Sequence, residues 1–438
     1  MNTPIHDFVN KYSHSDGVRA HMPGHKGDGE QEKFDITEIS GADSLYEADG
    51  IIKESEKHAG EIFGAYTFYS TEGSSLSIKA MLYLTVLYSR EIGREPLILA
   101  ARNVHKSFVN GTVLFDTRVE WLYSRSSSYL ECKITPSELE SYLKSAKHMP
   151  TALYLTSPDY LGNIQDIKGL SEVCKKYGLL LLCDNAHGAY LKFLKPSAHP
   201  IDLGADIVCD SAHKTLPVLT GGAYLHISRT APAVFKERAK DALALFGSTS
   251  PSYLILSSLD KFNGDIPDFS GFAEKCNRLK EQISALGYSL TGDEPLKITI
   301  QTKKYGYKGA DLQRELEAQG IICEFADSDF LVLMLSPKNT DIELEKILKG
   351  LKNIPKKASV STLPPPTFKS EAKTSPREAL LSLSEELPTD GCEGRIFASS
   401  ALGCPPAVPI LVSGEVITKE AIEAFKYYRI DSIRVVKD

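Results

Sequence analysis

Asp206-Ile207-Val208-Cys209-Asp210-Ser211-Ala212-His213-Lys214-Thr215 joins an apolar run to a cluster of Ser, His and Lys, and the fold class follows from that junction. Ala205 to Cys209 is short and carries no helical period, so it reads as a strand buried on both faces. Leu179 to Cys183 is a second such strand, and it too runs into a carboxylate, Asp184. Buried strands separated by helices imply an α/β fold with a mainly parallel sheet covered on both sides. In such sheets ligands gather at the carboxyl ends of the strands, where Asp184 and the Ser211 to Lys214 cluster stand.

The alternation extends in both directions. Lys53 to Gly64 and Ser74 to Glu91 have the spacing of amphipathic helices, and Pro96 to Ala101 and Val119 to Tyr123 read as strands. Thr135-Pro136-Ser137-Glu138 opens a helix with a cap, a proline and an acidic first turn. Thr151 to Thr156 is a strand, and Asp166 to Tyr177 is a helix that stops at Gly178. Residues 1–50 show little periodicity and read as an arm packed on a large domain spanning 51–270. A smaller α/β domain follows over 271–354, with helices at Phe272 to Leu286, Tyr307 to Gln319 and Asp341 to Leu351. Its strands are Leu296 to Gln301 and Phe330 to Leu335. Residues 355–376, with Pro364-Pro365-Pro366, form an extended hinge, and 377–438 form a C-terminal unit.

With 438 residues the chain has room for two or three domains. A net charge of −7 gives no general attraction to nucleic acid or to an anionic membrane, and no run is long enough to span a bilayer. Residues 1–10 lack the apolar core of a secretory signal, and the eight cysteines include no CxxC pair, so reduced thiols and a cytoplasmic location are expected. Cys183 and Cys209 are expected to pack as small hydrophobes, and the lone Trp121 as core.

Lys214 is the residue that calls for explanation, because an unpaired lysine at a buried strand end is costly. Schiff-base formation with an aldehyde cofactor removes that cost and creates a catalyst. Asp184, at the neighbouring strand end, is placed to partner a protonated ring nitrogen. Glu72-Gly73-Ser74-Ser75 leads into a helix, where backbone N–H groups and two hydroxyls can meet a phosphate, with Ser211 and His213 as further contacts. Taken singly, Gly-Ser-Ser also reads as a helix cap and Asp184 as a turn residue. His21 and His25 have no matching Cys or His set, so no metal site is expected.

The ordered motifs resemble the ornithine/lysine/arginine decarboxylase family across nearly the whole chain. They are Ala20-His21-Met22-Pro23-Gly24-His25-Lys26-Gly27, Asp35-Ile36-Thr37-Glu38, Glu72-Gly73-Ser74-Ser75 and Arg102-Asn103-Val104-His105-Lys106-Ser107. Ser157-Pro158-Asp159-Tyr160-Leu161-Gly162, Asp184-Asn185-Ala186-His187-Gly188-Ala189, Ser211-Ala212-His213-Lys214-Thr215-Leu216 and Ser248-Thr249-Ser250-Pro251-Ser252-Tyr253 complete the set. The absence of a long N-terminal extension is similar to the compact branch of that family.

The resemblance implies the aspartate-aminotransferase fold, a pyridoxal 5′-phosphate (PLP) cofactor, and decarboxylation of arginine, lysine or ornithine to the amine, in polyamine metabolism. Lys214 would carry the cofactor, Asp184 would hold its ring nitrogen protonated, and His105 would stack on its face. Ser74, Ser75, Ser211 and His213 would bind its phosphate, with His187 near the lysine linkage or the ring oxygen. Lys214, His105 and His187 are thus the catalytic candidates. The family pattern also makes Ser250-Pro251-Ser252-Tyr253 a subunit-interface loop, and a homodimer is the expected minimal unit.

Several positions depart from the family habit. Asn185 and Tyr190 replace an acid and a histidine. Glu393-Gly394-Arg395-Ile396 and Pro405-Pro406-Ala407-Val408-Pro409 are kept, yet Ser399-Ser400 stands where an acid is usual and Gly403-Cys404 replaces a Pro-Tyr pair. A basic substrate tail needs a buried counter-charge, so these changes bear on specificity. Two other readings remain open. One is a transaminase or aldolase reaction on the same scaffold, for which Arg395 would grip an α-carboxylate. The other is a PLP-binding regulatory protein without catalysis.

Overall fold

The computed structural model describes residues 2–123, 128–400, 403–404 and 408–437. The chain forms two compact units, each built from three stretches. The first comprises Met1–Pro96, Lys147–Tyr154 and Ile167–Asp268; the second comprises Leu97–Ala146, Leu155–Asp166 and Phe269–Asp438.

The first seven strands are β1 (Tyr66–Ser70), β2 (Leu97–Ala101), β3 (Arg118–Leu122), β4 (Ala152–Thr156), β5 (Leu180–Asp184), β6 (Ile207–Asp210) and β7 (Ala223–Ile227). They make one mostly parallel sheet in the order β1-β7-β6-β5-β4-β2-β3. β5 and β6 are parallel, with Asp184 opposite Cys209, and β2 runs parallel to β3. β7 is antiparallel to both β6 and β1. Every residue of β5, β6 and β7 is buried, as the uninterrupted apolar runs require. Cys183 and Cys209 pack inside these strands, and burial drives the Cys209 thiol far above its ordinary range.

Around the strands of the first unit lie helices Ile51–Phe63, Gly73–Glu91, Ile167–Tyr177, Ala233–Ala244 and Tyr253–Gly264. The opening arm contains a helix its sparse periodicity did not reveal, Pro4–Ser13, which buries Ile5 and Val9. Its amino end is held by Asp260, which is fully buried and accepts the backbone N–H groups of Ile5 (2.8 Å) and His6 (2.9 Å) as well as the Ser55 hydroxyl. Burial raises the Asp260 carboxyl to about 6, against the hydrogen bonds that favour its ionised form. A carboxyl raised on folding stabilises fully below its unfolded value of about 4, and that contribution is lost as pH rises through about 6. Asp260→Asn, which does not ionise, is therefore expected to gain on the wild type by roughly 2 kcal/mol between pH 4 and pH 7.5. Urea unfolding at the two pH values measures the difference, and a pH-independent gap would contradict this account.

The second unit adds a four-stranded sheet in the order β10-β11-β9-β8. Its members are β8 (Leu290–Thr291), β9 (Lys297–Gln301), β10 (Phe325–Ala326) and β11 (Phe330–Met334), all antiparallel. Helices Phe269–Ala285, Gly309–Glu317 and Asp341–Asn353 accompany them. The C-terminal residues share a core with this unit: Phe397, Val408, Ile410, Ile417, Phe425 and Val435 pack with Leu130, Leu161, Phe325 and Val332. Trp121 is only partly buried, a correction to its expected core role. Its ring meets Phe108 edge-on and lies under the Arg102 guanidinium.

Candidate active site

The functional side chains of the first unit stand at the carboxyl ends of β5 and β6, as the sheet rule predicts. Asp184 closes β5 and is buried. Its Oδ2 accepts the Tyr154 hydroxyl at 3.2 Å, and its Oδ1 accepts the Ala186 N–H at 3.2 Å and faces the Cys209 thiol at 3.5 Å. These three contacts fix the direction of the carboxyl group. Burial, followed by the Asp184 charge, pushes the Tyr154 phenol well above its ordinary range, so it stays a donor.

The turn after β5 carries His187 back toward the turn after β6. His187 Nε2 lies 3.1 Å from Lys214 Nζ, with His187 buried and Lys214 half-buried. An amine in contact with an imidazole has a partner for proton exchange, the arrangement needed for a nucleophilic lysine.

The third element is the amino end of helix Gly73–Glu91. Glu72 occupies the cap position without making a side-chain cap, so Ser74 and Ser75 are not acting as caps. Instead the Ser211 hydroxyl donates to the Ser74 hydroxyl at 2.7 Å. Gly73 enters the helix at φ +71°, in the left-handed region that favours glycine. First-turn N–H groups and two converging hydroxyls are the donor types that can meet an anion. His213 donates its Nδ1–H to the Gly222 carbonyl at 3.1 Å, and burial lowers its basicity. A phosphate would meet a donor at its Nε2 only with the ring protonated.

The structure therefore brings Lys214 to His187 and Ser74 to Ser211, and orients Asp184. His105 belongs to the second unit, where it caps helix Lys106–Phe115 by accepting the Ser107 N–H on Nδ1 at 3.2 Å. Of the outer motif residues, His25 pairs with Asp35 at 3.2 Å and Asp159 organises its own turn by accepting the Leu161 and Asn163 N–H groups. Ser252 caps helix Tyr253–Gly264. Arg395 is held by Glu385 at 2.8 Å and by the Val436 carbonyl, so the guanidinium proposed for an α-carboxylate is already engaged. Pro405-Pro406-Ala407 and the side chain of Cys404 lie outside the described residues.

Sequence reading missed Tyr154, although a lone phenol in the apolar strand Ala152–Thr156 signals a buried hydroxyl needing a partner. It also missed the group His199, Asp210 and His226, whose ligand-type atoms converge at full burial. Only the fold brings those three together.

The fold is α/β, and its site sets a lysine against an imidazole near an oriented strand-end carboxyl group. The model of the Orn/Lys/Arg decarboxylase major domain matches residues 3–268, and that of the family's C-terminal domain matches residues 356–432. This chain belongs to the Orn/Lys/Arg decarboxylase family, and it is a carboxy-lyase. A Bacillus subtilis arginine decarboxylase is 29% identical, with 96% of this chain and 92% of the relative covered. An arginine decarboxylase of Halalkalibacterium halodurans is also 29% identical over 95% of this chain and 91% of its own length. Among solved structures, the Escherichia coli constitutive lysine decarboxylase superposes with a TM-score of 0.76 at 17% identity, covering 100% of this chain and 82% of its own. The Francisella novicida lysine decarboxylase does so at 0.79 and 16% identity, covering 99% and 81%. At such identities the structural likeness speaks for the fold alone. No helix among the described residues is long and apolar enough to cross a membrane.

Proposed function

We propose that this chain decarboxylates a basic amino acid with PLP held on Lys214, and that arginine is its first substrate. The observation that carries the reading is the Lys214–His187 contact of 3.1 Å beside the oriented carboxylate of Asp184. The donor set suits the cofactor: an amine for its aldehyde, a buried carboxylate for its ring nitrogen, and the Ser74, Ser75 and Ser211 hydroxyls at a helix amino end for its phosphate. Arginine is favoured by the printed names of the curated relatives.

When bound, PLP supplies the electron sink that makes loss of carbon dioxide possible. The residues of the chain do the remainder. Asp184, held by Tyr154 and the Ala186 N–H, would pair with a protonated ring nitrogen and favour that proton. His187 receives or returns a proton at Lys214 Nζ, so the amine is available both to bind and to reprotonate the product carbon. His105, with Nδ1 engaged as a helix cap, has its neutral-state proton on Nε2, where it can act as a donor. Ser74 and Ser211 would hold the phosphate end.

The test is release of carbon dioxide and amine from arginine, lysine and ornithine, with keto acid measured in parallel. Arginine is expected to turn over at least tenfold faster than the other two by kcat/KM. Keto acid without carbon dioxide would overturn the proposal. The minimal unit is proposed to be a homodimer, and fully active monomers in light scattering would contradict that.

A further inference from the structure

Asp210 ends β6 and plays no part in the chemistry above, yet it is the centre of a fully buried polar cluster. Its Oδ2 accepts the Nε2–H of His199 at 3.0 Å and of His226 at 3.1 Å, and its Oδ1 accepts the Asn185 amide at 2.7 Å. The Ile201 N–H points at His199 Nδ1 at 3.3 Å, and Thr67 Oγ1 lies 2.9 Å from His226 Nδ1. His199 Nδ1 is therefore an acceptor, and its proton sits on Nε2. A metal ion at this trio would need that Nε2 lone pair, so the cluster is a hydrogen-bonded one. Burial would push the Asp210 carboxyl up, but the two imidazoles more than reverse this and hold it below the usual carboxylate range. A buried carboxylate with three donors is satisfied and rigid.

Its position in the sheet gives the cluster a task. β5 and β6 are in register with Asp184 opposite Cys209, and the Asn185 N–H reaches the Cys209 carbonyl at 3.0 Å. β5 ends there and β6 one residue later, at Asp210; one segment runs on to His187 and the other to Lys214. The Asn185–Asp210 bond continues the pairing one residue past the ladder, on the face opposite to Asp184 and Cys209. Asn185 directly follows Asp184, and Asp210 directly precedes Ser211.

We propose that Asp210 is a positioning residue that locks the ends of β5 and β6 together through Asn185, thereby fixing the separation between the ring-nitrogen carboxylate and the phosphate cradle. This rests on the PLP reading above. It also gives Asn185 a physical reason: an acid there would set two buried carboxylates against each other at hydrogen-bond distance.

The experiment compares wild type with Asn185→Ala, Asn185→Asp and the exchange variant Asn185→Asp/Asp210→Asn. Each is stripped of cofactor, retitrated with PLP by visible absorbance, and examined by visible circular dichroism. Asn185→Ala and Asn185→Asp are each expected to weaken PLP binding by about tenfold or more and to change the dichroic signal, with the fold retained in the far ultraviolet. The exchange variant is expected to recover binding to within about threefold. In it, the amide introduced at position 210 accepts both imidazole N–H groups through its carbonyl and donates its NH₂ to the carboxylate introduced at position 185. Wild-type affinity and dichroism in both single variants would overturn the proposal, as would a folded exchange variant that stays as weak as Asn185→Asp. If Asn185→Asp does not fold, Asn185→Ala alone decides between the same outcomes. Failure of the wild type to bind PLP would instead overturn the cofactor reading, with this proposal falling after it.

Discussion

Lys214→Ala is expected to abolish the visible absorbance of lysine-linked cofactor and to lower turnover by more than about a thousandfold. The side chain is half-buried and its acid–base partner is His187, an imidazole, which forms no Schiff base and so does not replace the missing amine. The hydroxyls of Ser74 and Ser211 and the carboxylate of Asp184 survive the substitution, so PLP is still expected to bind, more weakly and reversibly. Lys214→Arg separates charge from chemistry. It restores a cation beside His187, but a guanidinium does not condense with an aldehyde, so it is expected to perform as poorly as alanine. The thermal midpoint of both variants is expected to stay within a few degrees of wild type, since only one half-buried side chain is altered. A retained absorbance band after gel filtration of Lys214→Ala would place the covalent link elsewhere and sink the assignment.

The second large effect is one of stability, at Arg102. This residue follows β2 directly and stands three residues before His105. Its guanidinium donates to the carbonyls of Pro409 (2.9 Å) and Ile410 (3.0 Å), pairs with Glu415 at 3.2 Å and lies over the Trp121 ring. Glu415 is buried and also accepts the Val412 N–H at 2.7 Å. Its carboxyl is raised by burial, against the pull of the Arg102 charge. Arg102→Ala is expected to destabilise the protein by about 3–5 kcal/mol, because it strands a buried carboxylate and two backbone carbonyls together. The paired variant Arg102→Met/Glu415→Gln removes both charges and is expected to recover at least half of that loss. Urea unfolding measures both, and a single-variant cost below about 1 kcal/mol would show that the pair behaves as an exposed one.

The strands around Lys214 were legible because a strand buried on both faces has to be continuously apolar, and Leu179 to Cys183 and Ala205 to Cys209 are. The helix at Thr135 was legible because its capping box is a local device, and it forms as written. The arm helix was not, since Pro4–Ser13 is short and stable only through burial of Ile5 and Val9 and the anchor at Asp260. β1 and β7 were missed as well: Thr67 and His226 interrupt their apolar character and bond to each other only because the strands pair antiparallel.

By itself, then, the sequence determined the α/β class, the strand ends on which Asp184 and Lys214 stand, and the family. Those features rest on local period and on motifs of contiguous residues, which a chain carries whether folded or not. Only the tertiary structure decided that the Ser74 hydroxyl meets Ser211 instead of capping its helix, that Tyr154 orients Asp184, and that Arg395 is taken up by Glu385. It alone placed His199, Asp210 and His226 around one buried charge behind the site. Partners separated by 10 to 137 residues are chosen by strand register and burial, and a single side chain carries no trace of that choice.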